Sequence, residues 1–166
     1  MKELSVKNGL ALYNYLFNTN FKEDDYWWIK SILNDPKLIR EELESNTSIE
    51  WSFLSQDVDL DENFIREFKD KVDWGSISTY QKLSEDFIRE FKDVVYWSCI
   101  SKYQKLSENF IREFKDKIWW EGISLYQKLS ENFIKEFKDK VNWGYISKYQ
   151  KLSESFIKEM KDYVRW

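Results

Sequence analysis

Tryptophan returns every 23 residues along most of this chain, at positions 51, 74, 97, 120, 143 and 166. Leu60, Leu83, Leu106, Leu129 and Leu152 keep the same step. So do Phe64, Phe87, Phe110, Phe133 and Phe156, each followed by Ile65, Ile88, Ile111, Ile134 or Ile157. Phe68, Phe91, Phe114 and Phe137 lead to Met160, and Val72, Val95, Ile118, Val141 and Val164 complete the pattern. A period in this range is the mark of a stacked repeat, in which no unit can bury its own apolar face alone.

Each unit reads as two helices. In SENFIREFKDKI, Phe110, Ile111, Phe114 and Ile118 form one stripe of a 3.6-residue period. Ser107 is a good N-cap, and Leu106 and Ile111 have the spacing of a hydrophobic staple. The pattern predicts a helix of about twelve residues, with Glu113–Lys117, Glu67–Lys71 and Glu136–Lys140 as i,i+4 pairs. The stretch after each Trp reads as a shorter helix entered through Gly75, Ser98 or Gly144. Its Trp and Ile are expected to wedge against neighbouring helices. The prediction is an all-α fold, an α-solenoid of 23-residue helix-turn-helix repeats with a helical N-terminal cap. Residues 1–50 are read as that cap plus a degenerate repeat, and 51–166 as five αα repeats in one continuous domain.

Composition closes several routes to chemistry. The 166 residues include nine Trp, ten Tyr and twelve Phe, one Cys and no His. Without histidine there is no Ser-His-Asp or Cys-His nucleophile system, no His-ligated metal and no imidazole switch. Cys99 has no intrachain partner, which favours a reducing compartment. The N-terminus lacks the pattern of a secretory signal, and no stretch approaches the roughly 18 apolar residues of a membrane helix. The expectation is a cytoplasmic, non-enzymatic protein with no cofactor, no metal and no membrane contact. The recurring Glu, Lys and Asp read as a solvated helix face. The recurring Ser55, Ser78, Ser101, Ser124 and Ser147 read as packing or backbone-bonding groups, since no general base accompanies them.

The units LSEDFIREFKDVVYW, LSENFIREFKDKIWW and ISKYQKLSE resemble a short Trp/Phe-rich helical repeat of giant DNA virus and bacteriophage proteins. The resemblance covers about residues 51–166. It implies a viral or phage repeat scaffold acting in the host cytoplasm and carries no family-wide activity. A counter-defence role, such as that of an anti-CRISPR, would suit a small acidic protein of this kind.

Candidate binding residues come from comparing the copies within the chain. Most positions barely change, but three vary widely: Asp73, Tyr96, Trp119 and Asn142 before each Trp; Ser76, Cys99, Gly122 and Tyr145 two residues after it; Thr79, Lys102, Leu125 and Lys148 three further on. Spaced by three, they should align along one edge of the short helices. That edge, with Asp73, Tyr96, Lys102, Trp119, Leu125, Tyr145 and Lys148, is the predicted partner-binding site, and Tyr and Trp are frequent hot-spot residues. Neutral drift at solvent-facing positions is the competing reading.

Charge is uneven. Residues 1–73 carry nine Lys/Arg and sixteen Asp/Glu, net −7, and residues 74–166 carry seventeen and fourteen, net +3. Glu23, Asp24, Asp25, Asp57 and Asp59 form an acidic N-terminal surface that could face a basic partner; an acidic cap that keeps the stack soluble is the competing reading. The leading functional expectation is a scaffold that binds a host or phage protein and inhibits or redirects it. The alternative is self-association, such as a homodimer through a C-terminal end exposing Tyr149, Phe156, Val164 and Trp166. Single-stranded nucleic acid is the disfavoured partner, because the repeats are nearly charge-balanced.

Overall fold

The computed structural model describes residues 51–57 and 59–164. Among them every element is helical: α1 (Trp51–Asp57), α2 (Glu62–Glu67), α3 (Trp74–Tyr80), α4 (Glu85–Glu90), α5 (Trp97–Tyr103), α6 (Glu108–Glu113), α7 (Trp120–Tyr126), α8 (Glu131–Glu136), α9 (Trp143–Tyr149) and α10 (Glu154–Glu159). Odd-numbered helices begin at the repeat Trp, and even-numbered helices follow its Ser-Glu or Asp-Glu. This is an α-solenoid-like helical repeat. The chain divides into two compact units, Met1–Leu83 and Ser84–Trp166. In the first, α1 packs on α3; in the second, α7 packs on both α5 and α9. The N-terminal cap expected over 1–50 lies outside the described residues. No described helix is long and apolar enough to cross a membrane.

The first helix of each repeat starts one residue earlier than the Gly and Ser entries suggested. Its N-cap is the residue before the Trp: Asp73, Tyr96, Trp119 or Asn142. Asp73 and Asn142 use their side chains, accepting the N–H of Ser76 at 2.7 Å and of Tyr145 at 3.2 Å. Tyr96 and Trp119 make no side-chain cap bond. The second helix is capped as its sequence indicates, with Ser84, Ser107, Ser130 and Ser153 each accepting an N–H three residues on.

The twelve-residue second helix is not formed. It is six residues long, closed by Phe91, Phe114, Phe137 or Met160 as C-cap, and followed by a tight turn. In the turn after α6 the Phe114 carbonyl accepts the N–H of both Lys117 and Ile118, at 2.9 and 3.1 Å, and the bonds beyond it keep the chain from resuming the helix. Continuing the helix would bring the Trp119 N–H to the Lys115 carbonyl. Instead that N–H donates to Ser101 Oγ at 2.9 Å, and the carbonyl accepts the Trp120 indole N–H at 3.1 Å. The same exchange recurs at Asn142 and Trp143 with Ser124 and Lys138, and in the first unit at Asp73 and Trp74 with Ser55 and Lys69. One tertiary and one local hydrogen bond replace one helical one, so the chain turns.

Within each unit the core lies between the first and second helices. Ile77, Ile100, Ile123 and Ile146 from the first helices and Ile65, Ile88, Ile111 and Ile134 from the second are fully buried. Trp97 stacks on Phe110 and Phe114, with ring centroids 6.2 and 4.8 Å away, and Trp120 repeats this on Phe133 and Phe137. Each such ring contact adds about 0.5–1.5 kcal/mol beyond area burial. Buried polar groups are satisfied throughout the described residues. Gln127 shows how: its Oε1 accepts the Leu106 N–H at 3.1 Å, and its Nε2 donates to the carbonyls of Ser101 and Gln104 at 2.9 and 2.8 Å. Ser101 and Ser124 also donate Oγ–H to the Trp97 and Trp120 carbonyls.

Candidate protein-docking face

The two helix layers treat charge differently. In the second unit, the second-helix segments (84–95, 107–118, 130–141, 153–164) carry ten Lys/Arg and thirteen Asp/Glu. These form ladders between repeats. Arg89 Nε donates to Glu113 at 2.8 Å and Arg112 Nε to Glu136 at 2.9 Å, while Lys135 pairs with Glu159. Lys117 pairs with Asp93 at 2.9 Å. The Glu113 and Glu136 carboxylates therefore reach the preceding repeat rather than Lys117 and Lys140, because the helix ends before the i,i+4 spacing is completed. Hydrogen bonding to Glu113 raises the Arg89 pKa further, and hydrogen bonding to Lys117 holds Asp93 below its ordinary value. Being exposed, these pairs are screened by solvent and add little to stability.

The first-helix segments of that unit (96–106, 119–129, 142–152) hold five Lys against one acid, Glu121. None of the five makes an ion pair with a described residue. On the same helices stand the exposed aromatic rings. Tyr103, Tyr126 and Tyr149 are 50%, 48% and 51% exposed; in the first unit Tyr80 is exposed at the equivalent position, where the repeat opening at Trp51 has Asp57. Lys102 Nζ lies 4.6 Å from the Tyr103 ring centroid and 5.5 Å from that of Tyr126 on the next first helix. Lys148 Nζ lies 5.2 Å from Tyr149, and Tyr145 meets Tyr149 at 6.2 Å. Hydrogen bonding to Tyr103 raises the Lys102 pKa above its ordinary value.

The predicted edge residues fall as follows. Tyr96 and Trp119 are exposed, Lys102, Leu125 and Tyr145 are half-buried, and Lys148 is exposed. Trp119 lies flat on its own helix: a Cβ at Gly122 would sit 2.5 Å from Trp119 Cε3. The Trp119–Gly122 pair is thus a local fit of a large ring to an absent side chain. Asp73, in the first unit, is exposed and caps its helix. Cys99 is a half-buried free thiol.

Of the acidic surface, Asp59 is exposed, the Asp57 side chain lies outside the described set, and Glu23, Asp24 and Asp25 lie outside the described residues. Of the C-terminal group, Tyr149 is exposed and Val164 half-buried, while Trp166 lies outside the described residues. Phe156 corrects the expectation of an exposed end. It is only 5% exposed, because its ring stacks on Trp143 at 6.5 Å.

The tyrosine row was missed as a binding feature. Its signal was geometric: the tyrosine stands seven residues after the variable N-cap position and four after the second variable one, so it shares their helix face. No group of three or more metal-ligating residues occurs among the described residues. No protein-family model, curated protein or solved structure matches the chain.

Proposed function

We propose that this protein is a non-enzymatic scaffold that docks a protein partner on the first-helix face, through the tyrosine row and the variable residues beside it. One observation carries the reading. A tyrosine stands about half exposed at the same helical position in all three repeats of the second unit, Tyr103, Tyr126 and Tyr149, and exposed Tyr96 and Trp119 stand on the same helices. Exposed aromatic rows flanked by polar groups favour interaction over solubility, and Tyr and Trp contribute large contact area at low entropic cost. The alternating copies supply the variation: Tyr96, Trp119 and Asn142 at one position, Lys102, Leu125 and Lys148 at another.

The resemblance of residues 51–166 to repeats of giant viruses and phages supports a host protein as the partner, inhibited or redirected in the host cytoplasm. Affinity capture followed by Trp119→Ala and Tyr126→Ala tests the reading. Loss of the captured protein with unchanged melting is expected; undiminished capture by both variants rejects the face.

A second reading, self-association near α10, has its own observation. Ile157 is half-buried where Ile65, Ile88, Ile111 and Ile134 are fully buried, and it lines an open depression with Glu154, Lys158 and Lys161. Light scattering tests it: a dimer abolished by Ile157→Glu is expected, and a monomer at high concentration rejects it.

A further inference from the structure

The docking face reads, across α5, α7 and α9, as cation, apolar group, cation. Lys102, Leu125 and Lys148 occupy the sixth position of three successive first helices that pack side by side. Packed helices stand about 8–10 Å apart. A polyproline-II chain advances about 3.1 Å per residue with three residues per turn, so every third side chain points the same way about 9 Å further on. The two periods match. We infer that the first-helix face of the second unit binds an extended protein segment carrying acidic, apolar and acidic side chains at every third position, clamped by Lys102 with Tyr103, Leu125 with Tyr126, and Lys148 with Tyr149.

This rests on reading that face as the docking surface. Charge complementarity selects the ligand: five lysines without ion pairs stand with a single acid in the first-helix segments, whereas the second-helix segments carry more acids than bases and engage Arg89, Arg112, Lys117, Lys135 and Lys140 with carboxylates. A carboxylate arriving at Lys102 meets an ammonium already held between two phenol rings, so little side-chain freedom remains to be lost. Leu125 between the two cations takes an apolar side chain and interrupts any continuous track for phosphates. The rings argue the same way. An ammonium lies within cation–π range of Tyr103, Tyr126 and Tyr149, which sets positive charge beside each ring for an incoming carboxylate.

The test is fluorescence anisotropy on the full chain. The probes are a labelled peptide Glu-Pro-Ala-Leu-Pro-Ala-Glu, its charge-reversed form with Lys for Glu, and a ten-nucleotide oligothymidylate. The Glu–Leu–Glu peptide is expected to bind at least tenfold more tightly than the other two. Lys102→Glu/Lys148→Glu should remove that binding and confer binding of the Lys–Leu–Lys peptide. Lys102→Gln/Lys148→Gln, which adds no like-charge repulsion, should weaken it about tenfold, or 1.4 kcal/mol. Equal binding of the two peptides, or tighter binding of the oligonucleotide, overturns the inference. If that happens while Trp119→Ala and Tyr126→Ala still abolish partner capture, the ligand chemistry is wrong and the docking face stands. If capture survives both variants, the face itself falls.

Discussion

The indole N–H of Trp97 donates to the Lys92 carbonyl at 3.0 Å, while the same ring lies 4.8 Å from Phe114. One side chain thus ends the turn before its helix and packs against the helix after it. Trp97→Phe keeps the ring and loses the donor. The freed carbonyl is exposed and water can take it, so the expected cost is about 1 kcal/mol. Trp97→Ala removes both roles and should cost about 3 kcal/mol. Urea denaturation of the two variants separates these contributions.

Gln127 is buried and bonds three backbone groups of the preceding repeat, whereas the equivalent Gln150 is half-buried. Gln127→Leu leaves those groups without partners where water is excluded, at an expected cost of about 2–4 kcal/mol. Gln150→Leu should cost about 1 kcal/mol, because solvent can replace the amide. Denaturation midpoints with unchanged slopes would give the difference directly.

Gly122 and Trp119 should show a reversal of sign. Gly122→Ala alone sets a methyl against the indole and is expected to destabilise by about 1 kcal/mol. With Trp119→Ala in place the clash is gone, and the same change should stabilise by about 0.8–1.0 kcal/mol through helix propensity. A double-mutant cycle measures the coupling.

Asp93 is held below its ordinary pKa of 3.8 first by its hydrogen bond to Lys117 and then by that cation's charge. A depressed carboxylate contributes stability above its unfolded pKa and loses it as pH falls through the folded value. Asp93→Asn should therefore lower the melting temperature slightly at pH 7, and the difference should fade as the pH falls below 3.8 through the lowered folded-state value. At 1 M salt the effect at pH 7 should also disappear.

The repeat period, the two-helix unit, the Ser107-type cap and the buried Phe-Ile pairs are legible in the sequence because they depend on local pattern. The length of the second helix is not. Phe114 and Ile118 lie on one helical stripe, yet the Lys115 carbonyl goes to an indole five residues away and the Trp119 N–H to a serine of the previous repeat. No local rule registers bonds of that kind. The misreading of Glu113 and Lys117 as a pair follows from it. The cap position was half visible: Asp73 and Asn142 are good N-cap residues, but Tyr96 and Trp119 at the same place obscured it. The tyrosine row was hidden for another reason. A side chain repeated in four successive copies of a stack usually belongs to the core, and Tyr103 does not.

The central claim is that partners meet the first helices and leave the second helices to hold the stack. Hydrogen-exchange mass spectrometry of the full chain, free and bound to its captured partner, tests this most directly. Protection is expected in peptides covering 96–103, 119–126 and 142–149, with 108–113 and 131–136 unchanged; protection confined to the latter two segments would contradict the account.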